Sequence, residues 1–193
     1  MLKRDSPRFP VLPSFLAISG SLRAASTNTA LVEALAANAP PDCAVAVYRG
    51  LGDLPIFNPD DEGDRTPGPA AALIDAVTRA DGVIVCCPEY AHGVPGGMKN
   101  ALDWLVSRDA AVGKPAMLAH ASPRSLYARA ALAEIMRTMS FAMFEAAPLE
   151  IALLGRKPPE MAAVLSEDAN RRAMRDAVQA FAGFIRANIA SSS

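Results

Sequence analysis

The 193 residues of this chain suffice for one domain with a full-sized core, and 51% of them are hydrophobic. With 19 basic and 20 acidic residues the formal net charge is −1, so a polyanion such as a nucleic acid is not expected as a partner. No apolar run is long enough to span a membrane, and three cysteines without metal-ligand spacing predict a reducing, cytoplasmic location and no metal site.

The beginning of the chain is predicted to be a flexible arm over residues 1–12. It carries three early cations, but Pro7, Pro10 and Pro13 make it a poor signal peptide. Residues 13–190 are predicted to form a single domain, since neither an internal repeat nor a low-complexity tract divides them.

Strand and helix patterns alternate along this domain. Strands are predicted over Ser14–Ser19, Cys43–Tyr48, Gly82–Cys87, Pro115–Ala121 and Leu149–Leu153. Helices are predicted over Thr29–Asn38, Ala70–Ala80, Met98–Val106, Arg124–Phe144 and Glu167–Ala190, with a long loop at Arg49–Pro69. This alternation is typical of an α/β fold in which helices cover both faces of a parallel sheet.

Ligands of such sheets bind at the carboxyl ends of the strands, close to the point where the strand order reverses. Three polar loops are expected to converge there. They follow the first, third and fourth predicted strands and cover Ser19–Asn28, Pro88–Gly97 and Ser122–Tyr127.

The loop after the first strand is the most informative stretch of the chain. Gly20 permits a sharp turn off the strand, and Arg23 adds a cation with forked donors. Hydroxyl and amide side chains surround them, and the following helix begins with free N–H groups, which suit a phosphate. The polar residues are Ser19, Ser21, Ser26, Thr27 and Asn28.

Two common nucleotide motifs are absent from this loop, which has neither Gly-x-Gly-x-x-Gly nor Gly-Lys-Ser/Thr. An ordinary strand-to-helix turn, with Ser26 or Asn28 as the helix cap, remains an alternative to phosphate binding. One or two polar side chains would be enough for a cap. The larger number here favours a phosphate site.

Two motifs give the chain a resemblance to a known family. The sequence GSLRxxSxN at residues 20–28 and the sequence PEYAHGVPGGMKNALDW at residues 88–104 resemble the NAD(P)H-dependent FMN reductases, which include quinone, azo-dye and chromate reductases. The resemblance runs from Phe15 to the last helix. It implies a flavodoxin-like three-layer sandwich with a five-stranded parallel sheet of order 2-1-3-4-5.

The resemblance also implies a cofactor, FMN, with NADPH or NADH as co-substrate. Within the first motif, Ser21, Arg23, Ser26 and Asn28 match positions that hold the FMN phosphate, and Ser19 and Thr27 belong to the same loop. Within the second, the residues that match the loop along the flavin ring, or continue it, are Pro88, Glu89, Tyr90, Ala91, His92 and Gly93.

The chain departs from the family pattern in two places. Ala91 stands where members often have asparagine, and the loop Ser122–Tyr127 lacks the glycines that are common there. Arg124 could steer anionic substrates such as the phosphates of the nicotinamide cofactor. A lone loop arginine is more often solvated, so we expect this loop to fold outward.

The function implied is transfer of electrons from NAD(P)H through bound FMN to a flavin, a quinone or a similar small acceptor. The flavin carries the chemistry, so no catalytic side chain is expected. A flavodoxin-type electron carrier and a flavin-free ligand-binding sensor are the alternatives. A homodimer or homotetramer is expected, with Tyr90, Val94 and Trp104 as an apolar cluster to be covered. Taken by itself, Trp104 is expected in the core or at an interface. Cys86 and Cys87, in a buried strand, are expected to be inert thiols.

Overall fold

The computed structural model describes the backbone of residues 12–191 and the side chains of residues 12–188. All of the predicted arm except Leu12 lies outside this range. The division into an arm over 1–12 and one domain over 13–190 therefore stays a prediction. Of the helices described within residues 12–191, none combines the length and the hydrophobicity needed to cross a membrane.

A five-stranded, fully parallel sheet forms the centre of the molecule. Its strands pair in the order β2-β1-β3-β4-β5, which confirms the predicted fold class and strand order. The strands are β1 (Ser14–Ser19), β2 (Ala44–Tyr48), β3 (Gly82–Cys86), β4 (Pro115–His120) and β5 (Ala142–Glu150).

Helices cover both faces of the sheet. One face carries α1 (Thr27–Ala37), α5 (Pro158–Ser166) and α6 (Asp168–Ser191), and the other carries α2 (Gly68–Arg79), α3 (Gly96–Asp103) and α4 (Leu126–Thr138). Alternate residues of a strand point to opposite faces. Phe15 and Ala17 therefore enter the core under α1, whereas Leu16 and Ile18 enter the core under α2 and α3.

The predicted long helix over Arg124–Phe144 is wrong. Helix α4 ends at Thr138, Ser140 follows with a positive φ of 65°, and the chain then enters β5 at Ala142. The alanine-rich sequence has a high helix propensity, but pairing with β4, which aligns Met117 with Phe144, overrides it. The fifth strand therefore covers Ala142–Glu150 and not the predicted range Leu149–Leu153.

Helix α5 is an element that the sequence analysis missed. It opens on Pro158 and Pro159, the position at which proline is favoured in helices. The Glu160 carboxylate accepts a hydrogen bond from the backbone N–H of Lys157 at 2.8 Å and fixes this start. The loop that leads into α5 therefore has a defined path at the edge of the sheet.

The long loop after β2 folds back onto α3 and contains three short 3₁₀ turns. The Trp104 indole N–H and the Asn100 amide both donate to the Pro55 carbonyl, at 2.8 and 2.9 Å, and the Phe57 ring meets Trp104 edge-on at 5.0 Å. Trp104 is fully buried. Its expected place in an exposed apolar cluster is therefore wrong, whereas the expectation of a core position is confirmed, and Trp104 anchors this loop.

Candidate functional site

A cleft of about 480 Å³ lies at the carboxyl ends of the strands. Its walls come from the three predicted loops, after β1, β3 and β4, and from a fourth loop after β5, Leu154 to Pro158, that was not predicted as part of the site. This volume is within the range of small-molecule and cofactor sites. The convergence follows from the parallel sheet, because all its strands end at the same edge.

The loop after β1 is held in shape by its own buried polar side chains. Ser26 is the N-cap of α1, and its hydroxyl accepts from the N–H groups of Asn28 and Thr29 at 3.2 and 3.3 Å. Asn28 accepts from the Cys86 thiol at 3.3 Å. Ser26 and Asn28 are only 5% and 6% exposed, so they shape the start of the helix as well as lining the cleft. The capping role considered for Ser26 is confirmed.

Three other residues of this loop face the cleft with more accessible donors. They are Ser21, Arg23 and Thr27. Arg23 is exposed. The Ser21 hydroxyl accepts a hydrogen bond from the backbone N–H of Arg23 at 3.4 Å, which helps the backbone to turn before the N-terminus of α1. Ser19 differs, because its hydroxyl is hydrogen-bonded to that of Thr29 at 2.9 Å and lines a neighbouring depression.

Gly20 lies close against the end of β3, where a side chain would not fit. Its N–H donates to the Cys86 carbonyl at 2.9 Å, and a Cβ at this position would lie 2.6 Å from the Cys87 sulfur. Only glycine fits such an approach without a shift. The sequence analysis assigned Gly20 to a sharp turn, and the structure adds this packing reason.

The loop after β3 forms the second wall with Pro88, Glu89 and Tyr90. The Glu89 carboxylate accepts from the Ala128 N–H at 2.9 Å, in the first turn of α4. A carboxylate at a helix N-terminus is stabilised by the free N–H groups and the helix dipole. Glu89 therefore ties this loop to α4, a role that the sequence did not reveal.

The remaining predicted residues of that loop, Ala91, His92 and Gly93, do not line the cleft. Ala91 and His92 both have positive φ, 48° and 58°, between two hydrogen bonds that join Tyr90 and Gly93. This is the geometry of a tight hairpin turn that favours asparagine and glycine, so alanine here is strained. The His92 ring stacks on Tyr127 with centroids 4.3 Å apart.

The loops after β4 and β5 lie side by side. The N–H groups of Ile151 and Leu153 donate to the carbonyls of His120 and Ala121, both at 2.9 Å, and extend the strand pairing into the cleft. Ser122, Arg124 and Ser125 line the cleft from the first loop, and Leu154 to Pro158 from the second. Arg124 is exposed, as expected, yet the loop does not fold outward, because Arg124 is part of the cleft wall.

Positive charge predominates in this cleft. Its cations are Arg23, Arg124, Arg156 and Lys157. Of the described residues that line the cleft, Glu89 is the only acidic one, and it is bonded to α4. Within residues 12–188 none of the four cations forms an ion pair. Such a cleft attracts anions. The sequence contained a signal for the last two cations, because they follow the fifth strand.

The ionisable groups beneath the cleft are held neutral. Burial, followed by the neighbouring Cys87, raises the pKa of the Cys86 thiol well above its usual value, and burial raises that of Cys87 to about 12. Both thiols stay protonated near neutral pH, which confirms the expectation that they are inert. Burial and the Arg129 guanidinium lower the pKa of His120 to about 4 against the opposing effect of Glu150.

The residues present fit FMN. The α1 N-terminus, with the Ser21 and Thr27 hydroxyls and Arg23, offers the donors that a phosphate monoester accepts, and Pro88 with Tyr90 offers a wall for a planar ring. No three His, Cys, Asp or Glu side chains among the described residues are grouped so that they could hold a metal ion.

Comparison with known proteins bears on these observations. A family model described as NADPH-dependent FMN reductase matches residues 13–152. A quinone reductase of Escherichia coli K12 is 35% identical over 102 residues, which cover 51% of this chain and 54% of the relative. An NADH:(hydroxy)cinnamate reductase subunit of Vibrio ruber is 32% identical over 127 residues, 65% of this chain and 62% of that subunit. The chain thus spans about half the length of the first of these relatives.

The structural comparison covers more of the chain. The flavoenzyme NAD(P)H:(acceptor) oxidoreductase FerB from Paracoccus denitrificans superposes with a TM-score of 0.76 at 27% identity, over 90% of this chain and 97% of that one. The azoreductase AzrA superposes with a TM-score of 0.58 at 18% identity, over 86% and 99% of the two chains. The second likeness is one of fold.

Proposed function

We propose that this chain, which belongs to the NADPH-dependent FMN reductase family, binds FMN in the cleft and uses NADPH or NADH to reduce a small acceptor such as a quinone. The observation that carries the proposal is the arrangement of donors at the start of α1, opposite the wall formed by Pro88 and Tyr90. The names of the relatives, a quinone reductase and an NAD(P)H:(acceptor) oxidoreductase, support the same class of reaction.

The loop after β1 would hold the FMN phosphate. Arg23 supplies a full charge, and Ser21 and Thr27 supply hydroxyl donors beside the first N–H groups of α1. Ser26 and Asn28 keep this helix start in place through the hydrogen bonds described above. The phosphate therefore meets donors that are already oriented, which lowers the entropic cost of binding.

The loop after β3 would place the ring. Pro88 and Tyr90 offer the flat, partly apolar wall, and the hydrogen bond from the Ala128 N–H to the Glu89 carboxylate fixes the loop against α4. When bound, FMN would supply the redox chemistry, which is transfer of a hydride from NAD(P)H and then of a hydride to a quinone, which takes one further proton from solvent and leaves as the hydroquinone.

The electron acceptor and the nicotinamide cofactor would use the same open side of the cleft in turn, so ping-pong kinetics are expected. The test is an anaerobic experiment on the FMN-loaded chain. Addition of NADPH or NADH should bleach the flavin, and a later addition of a quinone should restore its absorbance with one hydroquinone formed per flavin. A flavin that stays oxidised with both nicotinamide cofactors contradicts the proposal.

We also propose that the chain forms a homodimer or homotetramer in a reducing, cytoplasmic environment. Tyr90, Leu126 and Tyr127 are 55%, 63% and 60% exposed beside the cleft, and a second copy would cover them. Cys43, Cys86 and Cys87 are all free thiols, which suits that compartment. Light scattering should give a multiple of the chain's 20.2 kDa at micromolar concentration, and a monomer mass contradicts the proposed assembly.

A further inference from the structure

Three cations form one wall of the cleft, and binding of FMN as proposed leaves them without a partner. Arg124 comes from the loop after β4, and Arg156 and Lys157 come from the loop after β5. We call these three residues the cationic wall. They are separate in sequence from the loop after β1, whose own Arg23 and helix start supply the donors for one phosphate.

The backbone brings the members of the cationic wall together. The hydrogen bonds from Ile151 and Leu153 to the end of β4 hold the two loops next to each other. The backbone N–H of Arg124 donates to the Ser122 hydroxyl at 3.1 Å, which fixes the loop backbone there, and the Arg156 Nε donates to the Ala152 carbonyl at 3.2 Å. This last bond leaves the two terminal nitrogens of Arg156 available to a ligand.

The charges of the cationic wall are not balanced by the protein. None of its three members pairs with a carboxylate within the part of the chain that the structure describes. Elsewhere the half-buried Arg108 and Arg129 do pair, with Glu62 and Glu150. Like charges that share a cleft repel each other, and a multivalent anion removes this repulsion when it binds.

The proposed reaction brings one such anion into the cleft. NADPH carries a 2′-phosphate monoester, with a charge of about −1.5 to −2 at neutral pH, which NADH lacks. We propose that Arg124, Arg156 and Lys157 form a subsite for the 2′-phosphate of NADPH and so make the chain prefer NADPH to NADH. The proposal rests on the reductase function proposed above and assigns its cofactor specificity to three residues.

The physical reason for the discrimination is that the 2′-phosphate accepts charge-assisted hydrogen bonds that NADH cannot replace. Arginine binds a phosphate through two parallel N–H donors, and lysine adds a point charge. The pyrophosphate and nicotinamide are common to both cofactors, so contacts to them would change both affinities alike. The ratio of the two affinities therefore isolates the subsite.

The experiment measures binding of 2′,5′-ADP and of 5′-AMP to the FMN-loaded chain by calorimetry, since neither ligand can be oxidised. The variants are Arg124→Ala, Arg156→Ala and Lys157→Met. Arg156→Lys keeps the charge, and Arg79→Ala is the matched control, because Arg79 lies on α2, is paired with Asp75 and does not line the cleft. FMN affinity is measured for every variant.

The unmodified chain should bind 2′,5′-ADP more tightly than 5′-AMP. Each cleft variant should weaken 2′,5′-ADP by about three- to thirtyfold, the range for a partly screened charged hydrogen bond. We expect no such loss for 5′-AMP. Arg156→Lys should keep most of the affinity, Arg79→Ala all of it, and the KM for NADPH should rise relative to that for NADH.

Three results overturn the proposal. Equal affinity of the unmodified chain for 2′,5′-ADP and 5′-AMP would show that the cleft does not recognise the 2′-phosphate. Equal losses of affinity for both nucleotides in the variants would mean that the cationic wall binds the pyrophosphate or attracts anions without distinction. Loss of FMN affinity in Arg156→Ala or Lys157→Met assigns these residues to the flavin phosphate instead. A chain that binds no FMN at all contradicts the reductase function itself, a separate outcome.

Discussion

The loops after β1 and β5 both line the cleft and both carry cations, yet they are built differently. The first packs its polar side chains into ten residues and fixes them with hydrogen bonds to α1 and Cys86. The second carries Arg156 and Lys157 on a turn whose Gly155 has a φ of 81° and whose cations extend into the cleft. On the functions proposed above, the first loop would be a preformed site for a resident group and the second an open site for a visiting ligand.

The largest expected effect is on FMN affinity, and it should differ between the arginines of the two loops. Arg23→Ala should weaken FMN binding by about 1.5–3 kcal/mol, the scale of a hydrogen bond to a charged group. Arg156→Ala should leave FMN affinity within about 0.5 kcal/mol, because on this account it serves another anion. The measurement is a titration of apoprotein with FMN. An unchanged affinity in Arg23→Ala would remove the assignment of the phosphate to the first loop.

Replacing Gly20 or Gly155 with alanine should destabilise the fold, but for a different reason in each loop. Gly20→Ala drives a Cβ to 2.6 Å from the Cys87 sulfur and should lower the free energy of unfolding by about 1–3 kcal/mol. Gly155 has open space around its missing Cβ, so Gly155→Ala should lower it by about 1–2 kcal/mol through its positive φ alone.

Denaturant unfolding with a second substitution tells the two causes apart. Cys87→Ala removes the sulfur that Gly20→Ala would meet, so the double variant should recover much of the loss caused by Gly20→Ala. Cys87→Ala combined with Gly155→Ala should recover none of the loss caused by Gly155→Ala. Strictly additive losses for Gly20→Ala and Cys87→Ala would contradict the packing reason for Gly20.

The helices that follow the two loops begin differently. Ser26 caps α1 through its own side chain, whereas the side chain of Lys157, the N-cap residue of α5, makes no cap bond. Ser26→Ala should lower the free energy of unfolding by about 1 kcal/mol, and Lys157→Ala should change it by less than about 0.5 kcal/mol. Thermal unfolding of the two variants checks this. A larger loss for Lys157→Ala would mean that its side chain supports the fold.

The pH prediction concerns His120, which lies at the end of β4 beside the loop after β5. The pKa of His120 is about 4 in the folded chain against an ordinary value of 6.5, so below pH 6.5 the unfolded chain takes up a proton that the folded chain does not. This part of the stability is complete above pH 6.5 and is lost as the pH falls toward 4. His120→Gln should flatten the fall of the melting temperature over that range, and an identical slope would contradict the shift.

The sequence was sufficient where neighbouring residues decide the structure. The loop Ser19–Asn28 and the buried strand ending at Cys86 are local patterns, and both occur close to where they were predicted. The strand order was also confirmed, although it was inferred from the resemblance to a family.

The sequence was insufficient where distant contacts decide. The alanine-rich segment 142–147 has the composition of a helix and becomes the edge strand because β4 offers it hydrogen bonds. The carbonyl that accepts the Trp104 indole N–H belongs to Pro55, 49 residues away, and no local pattern identifies this partner. Arg156 and Lys157 follow the fifth strand in its predicted position as well as in its observed one, and they were missed because the loop after this strand was not counted among the loops of the site.

The measurement that tests the central claim most directly compares FMN with riboflavin, which differs from it by the phosphate alone. The claim is that the loop Ser19–Asn28 holds this phosphate through the α1 N-terminus and Arg23. Flavin fluorescence titrations of the unmodified chain should give FMN an affinity at least about a hundredfold higher than that of riboflavin, as expected for two or more charge-assisted hydrogen bonds. Equal affinity for the two flavins would contradict the claim.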